Sequence, residues 1–132
     1  MLSENLKILL ATSYAFVIKA QNFHWNIEGS NFPQYHEFFE NLNREVYENA
    51  IDRTAEYIRT LEAYTPGSIA RYAELSLIPD QLKIPRAELM FAELYSDNEK
   101  IIAHLKVCYD SCEESEHYGI SNFIAERIDA HN

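Results

Sequence analysis

The feature that most constrains this chain is how seldom its helical patterning is broken. Only three glycines and four prolines occur in 132 residues, and they leave long uninterrupted stretches between them. In the first stretch Leu6, Leu10, Ser13, Val17, Ala20, His24 and Ile27 recur at alternating steps of four and three. That spacing marks one face of a helix from Ser3 to Glu28, with Ser3 placed to cap it. Gly29-Ser30-Asn31-Phe32-Pro33 then combines a stop with a new start, because Asn31 is a good cap and proline is tolerated in a first helical turn.

From Pro33 to about Ala63 nothing interrupts a second long helix, whose apolar stripe is Tyr35, Phe39, Leu42, Val46, Ala50, Ile58 and Leu61. Thr65-Pro66-Gly67-Ser68 breaks it, and Ile69 to Leu75 reads as a short helix in the connection. Pro79 and Pro85 bracket a loop, after which Met90, Leu94, Ile101, Leu105, Cys108 and Cys112 trace a third long helix. Gly119 ends the polar stretch that follows. Ile120, Phe123, Ile124 and Ile128 begin a fourth, shorter helix. Four amphipathic helices with a long crossover after the second predict an all-α, ferritin-like four-helix bundle, one domain over residues 1–132.

Charge and composition exclude several roles. A net charge of −10 repels phosphate backbones at long range, so unaided DNA binding is disfavoured. No apolar run approaches the roughly 20 residues of a membrane span. The run Ile8 to Ile18 reads as part of the mature first helix rather than a signal-peptide core, since Glu4 precedes it and Lys19 interrupts the cleavage region. Cys108 and Cys112 are too few and too close for a disulfide framework, which fits a reducing, cytoplasmic compartment. They are expected in the core.

Residues able to hold a metal concentrate in the first two helices. His36 and Glu40 are four apart, as are Asp52 and Glu56, so each pair presents two ligand groups on one helical face. Surface salt bridging is the commoner meaning of that spacing. His24 falls on an apolar stripe, where an imidazole needs a partner, as a satisfied core side chain or as a ligand. Imidazole nitrogen with carboxylate oxygen suits iron, zinc or manganese better than calcium or magnesium. Glu40 and Asp52 lie twelve residues apart, about 18 Å along a helix, too far to share one metal within a chain. If all five residues act together, the two pairs come from different chains of a two-fold dimer.

Lys19-Ala20-Gln21-Asn22-Phe23-His24-Trp25-Asn26, followed by Gly29, Asn31-Phe32 and His36-Glu37, resembles the signature of the Dps family. The resemblance is strong through Glu56 and weaker over the remaining helices. It implies a ferroxidase centre to which the first helix gives a histidine and the start of the second a histidine and a carboxylate. These positions match His24, His36 and Glu40, with glutamate replacing the commoner aspartate. An aspartate and a glutamate from the two-fold partner complete the family's centre and match Asp52 and Glu56; Trp25 corresponds to an aromatic near it.

Three departures from the family pattern bear on function. The step from Glu40 to Asp52 is one residue longer than the family's, and in a regular helix that rotates everything beyond it by about 100°. Either Glu37, Glu45 or Glu48 is recruited as a ligand, or a wide, π-type turn between Asn41 and Ile51 absorbs the extra residue; the wide turn is the favoured expectation. The lysine-rich tail with which some members hold DNA is absent, and the final helix stops early, near His131.

The resemblance therefore implies a ferroxidase and iron-storage protein. Iron(II) would be oxidised by hydrogen peroxide or oxygen at an inter-subunit site, and iron(III) stored in a dodecameric homo-oligomeric cage, protecting the cell from oxidative damage. The alternatives are a cage or dimer that sequesters metal without turnover, and a DNA-compacting protein, which the charge and the missing tail oppose. Glu114 and His117 have a di-iron spacing but no second copy, and the nine tyrosines are read as packing.

Overall fold

A computed structural model describes residues 1–132. The first helix, α1, runs from Leu2 to Asn26; α2 from Phe32 to Val46; α3 from Asp52 to Thr60; α4 from Ile69 to Leu75; α5 from Ala87 to Ser115; and α6 from Tyr118 to His131. Between α2 and α3 the chain does not break. Tyr47–Ile51 form a π-helical turn, so α2, this turn and α3 make one continuous second rod.

The four long rods bury their apolar stripes on each other, with α1 against both α2 and α5, and α5 against α6. Leu6, Leu10, Val17 and Ala20 of the α1 stripe, and Ile27 just past its end, are all buried. Phe16, Phe23, Phe39 and Phe123 are the largest fully buried side chains. Each such ring removed from water contributes roughly 1.5–3 kcal/mol, and the sum stands against the entropy of ordering the chain. Cys108 and Cys112 lie in this core as expected, and burial pushes their thiols up to about 12 and about 11. They stay protonated and act as small apolar groups.

The punctuation differs from expectation in its details. Ser3 lies inside α1, whose cap position is Met1. Asn31 does occupy the cap of α2, but its side chain makes no capping bond. Gly29, at φ +117°, provides the reversal between α1 and α2 in a conformation that a side chain would strain. Gly119 lies in the first turn of α6, and Glu116 takes the left-handed position that ends α5. Ser68 caps α4 by accepting from Arg71 N at 3.2 Å. α4 then lies across α1, where Tyr72 stacks on Tyr14 at 4.8 Å and Leu77 N donates to Thr12 Oγ1.

Two buried ionic groups tie the rods together. Lys19 Nζ of α1 reaches Asp97 at 2.7 Å and Glu93 at 2.9 Å on α5. Arg127 of α6 grips both oxygens of Glu45 at 2.8 Å. No helix is long and apolar enough to cross a membrane.

Candidate metal centre

His24 stands on the last turn of α1 and His36 on the first turns of α2, brought face to face by the tight reversal at Gly29. Their rings stack at 3.8 Å with 25° between planes. Each ring is fixed by the other's backbone: His24 Nδ1 lies 2.7 Å from His36 O, and His36 Nδ1 lies 2.7 Å from His24 O. A carbonyl only accepts, so both Nδ1 atoms carry the proton and both Nε2 lone pairs are left available. Orientation by a backbone acceptor on the far ring nitrogen is how metal-binding imidazoles are commonly held.

Glu40, one turn beyond His36, completes the group. The ligand atoms of His24, His36 and Glu40 lie within 4.8 Å of one another, and all three side chains are half-buried. Two imidazoles and one carboxylate with open positions suit iron(II) that must react with an oxidant. Phe32 stacks on the outer face of His36 at 4.9 Å, extending the pair into a three-ring stack. Trp25 is 65% exposed at the end of α1.

Asp52 and Glu56 form a second, separate group on α3. Both are exposed. Asp52, through a hydrogen bond and then its charge, pushes the Glu56 carboxyl above the usual carboxylate range. Two neighbouring carboxyls of like charge are relieved by a cation between them. Within one chain the two groups do not meet.

The π turn decides where Asp52 and Glu56 face. Counted along an unbroken α-helix, Asp52 would lie about 120° around the rod from Glu40; with one residue taken up, the offset falls to about 20°. The buried positions record the change, since Ala50 and Ile51 are buried in succession while Val46, Thr54 and Ile58 keep ordinary spacing. The wide turn expected between Asn41 and Ile51 is therefore present. Of the alternative ligands, Glu45 is committed to Arg127, which holds its carboxyl below the usual range, and Glu48 faces Arg44.

Two neighbours of the trio were not read from the sequence. Phe32 carries no metal-binding chemistry, and its only signal was its place beside Asn31 in the motif. Arg44 donates to Glu40 at 2.9 Å, and its signal was the Glu-x-x-x-Arg spacing of a helical ion pair. Glu114 and His117 enter no metal-binding cluster.

A family model for the ferritin-like domain matches residues 3–132. The chain is 30% identical over 99 residues to the DNA protection during starvation protein of Brevibacillus brevis, covering 75% of this chain and 66% of that one. In three dimensions, antigen TpF1 from Treponema pallidum superposes with a TM-score of 0.94 at 27% identity, over 98% of this chain and 83% of that one. Dps from Bacillus brevis superposes at 0.93 with 25% identity, over 98% and 87% of the two chains. The chain belongs to the Dps family of ferritin-like proteins.

A Dps chain from Vibrio cholerae, a member of a broad superfamily of ferritin-like diiron-carboxylate proteins, shares the fold at a TM-score of 0.94 and 24% identity, over 98% of this chain and 81% of that one. A low temperature-induced protein of Nostoc is 32% identical over 124 residues, 92% of this chain and 69% of its own. Within this Dps fold, the glutamate at position 40 still brings its carboxylate to the two histidines.

Proposed function

We propose that this Dps-family chain is a ferroxidase and iron store whose metal centre is shared between two subunits. The observation that carries the reading is the pair of imidazoles locked by each other's carbonyls through Nδ1, leaving both Nε2 atoms unbonded, in one cluster with Glu40. Iron(II) is the substrate. Asp52 and Glu56 of the partner subunit would complete the centre across a two-fold axis, because within one chain the helical rise holds Asp52 about 18 Å and Glu56 about 24 Å from Glu40.

Hydrogen peroxide is the simplest oxidant: two iron(II) ions give one electron each, two protons are taken up, and peroxide leaves as two waters. Oxygen is the alternative acceptor. Iron(III) then collects inside a cage of twelve chains built from such dimers. Protonated, unbridged Cys108 and Cys112 suit a cytoplasmic setting. DNA is not part of the proposal, on the ground of the −10 charge.

The test is an anaerobic iron(II) titration of the protein, sized in solution, followed by a peroxide pulse. Saturable binding, iron(III) absorbance rising faster than without protein, and loss of both in His36→Ala are expected. Binding without accelerated oxidation would make the protein a sequestering cage instead.

A further inference from the structure

Glu40 does not stand free beside the histidines. One of its carboxylate oxygens accepts from Arg44 Nη2 at 2.9 Å, while Arg44 Nε lies 3.8 Å from Glu48. The guanidinium thus sits one helical turn from each of two carboxylates. One of them belongs to the histidine trio; the other belongs to the π turn.

We propose that Arg44 is a built-in competitor for the metal, a latch that neutralises Glu40 when no cation is bound and moves onto Glu48 when a divalent cation takes Glu40. The inference rests on the reading of His24, His36 and Glu40 as a metal site. Arg44 is here a positioning residue, acting through Glu40.

Three features let the latch move. Arg44 and Glu48 side chains are 57% and 61% exposed, so no packing holds either in place. Glu48 has no other ion-pair partner, so it is available to a released guanidinium. A hollow of about 440 Å³ between α1 and the second rod, with Val17 and Ile18 on its apolar side and Gln21, Asn43, Arg44 and Glu48 on its polar side, gives the side chain room to swing. The fork of guanidinium donors also allows transfer without loss of pairing, since the edge released by Glu40 can meet Glu48 with two parallel bonds.

Charge decides the direction of exchange. A divalent cation held by two imidazole nitrogens and a carboxylate outcompetes a single exposed ion pair, which is weak in water. The guanidinium therefore tunes affinity rather than blocking the site. Its removal strengthens divalent binding by roughly two- to fivefold, the range that exposed ion pairs span. Loss of its alternative seat weakens binding by a similar factor.

Calorimetric titration of the full assembled protein with cobalt(II), with the visible d–d absorption recorded alongside, tests this. Arg44→Gln should lower the Kd roughly two- to fivefold without altering the cobalt spectrum. Glu48→Gln should raise the Kd, and that increase should vanish in the Arg44→Gln background. A Kd unchanged or raised in Arg44→Gln overturns the latch, as does an equal effect of Glu48→Gln in both backgrounds. His24→Ala and His36→Ala separate the two claims. If they leave cobalt binding intact, the trio is not the site; if they abolish it while Arg44→Gln changes nothing, the latch alone fails.

Discussion

His24 and His36 hold each other by opposite bonds, each ring donating to the other's carbonyl, so either imidazole depends on the backbone of both helices. Phe32 presses the stack from outside. Such an aromatic contact contributes about 0.5–1.5 kcal/mol, so Phe32→Ala should weaken cobalt(II) binding roughly two- to tenfold while moving the thermal midpoint little. Calorimetry and a melting curve on the same sample check both halves. Lys19 is the opposite case, a structural cation whose ammonium lies wholly inside against Asp97. Burial raises the Asp97 carboxyl and Lys19 counters it. Lys19→Met would leave the buried Asp97 without its cation, and denaturant unfolding should show a loss of about 3–5 kcal/mol. At this scale the sequence revealed chemistry but not partners. His24, His36 and Glu40 were legible because their spacing is local, whereas Asp97 lies 78 residues from Lys19, and only the folded bundle brings them together.

His131 closes α6 within a buried polar group. Arg127 Nη2 donates to its Nε2 at 3.1 Å, and its Nδ1 donates to Asn98 Oδ1 at 2.8 Å. Burial first, and then the Arg127 charge, lower its pKa to about 4, against the opposing pull of Glu45. The folded value lies below the ordinary 6.5, so this stabilisation is fully present above pH 6.5 and is lost as pH falls towards 4, on the order of 2–3 kcal/mol. Glu45, also held below its ordinary value, acts in the same direction at lower pH. Thermal midpoints measured between pH 7 and pH 4 should fall, and His131→Asn should flatten the upper part of that slope.

At the scale of the element, the second rod shows what pattern can and cannot reveal. The short helix Ile69–Leu75 was legible to the residue, because Ser68 caps it and Pro66-Gly67 isolate it. The π turn was legible only as a counting mismatch, since one additional residue had to be absorbed somewhere between Glu40 and Asp52. Its position at Tyr47–Ile51 follows from which side chains the core accepts, with Ala50 and Ile51 buried side by side. The end of α5 was not marked in the sequence, because glycine usually takes the left-handed position, whereas here Glu116 does at φ 59°. Asn49 lies in the π turn and is exposed, so its deletion should convert the turn to ordinary α-helix with a stability change within about 1 kcal/mol. Deletion of Asn41 should cost far more, because it turns Leu42 and Val46 off the core face. Thermal melts of the two deletions, with helical circular dichroism as a control, distinguish these outcomes.

At the scale of the whole molecule, the centre is proposed as a property of two chains. In the proposed arrangement each subunit would contribute His24 from the end of α1 with His36 and Glu40 from the start of the second rod, and a different half from α3, Asp52 and Glu56. Antiparallel pairing of two rods would join unlike halves and create two centres per dimer. Complementation measures this directly. One preparation carries His24→Ala with His36→Ala, another carries Asp52→Asn with Glu56→Gln, and each alone should lack peroxide-driven iron(II) oxidation. When the two chains are refolded together, each mixed dimer contains one centre stripped of every ligand but Glu40 and one with every ligand intact. Activity should return in proportion to the mixed dimers formed, and its absence from verified mixed dimers would contradict a centre shared between subunits.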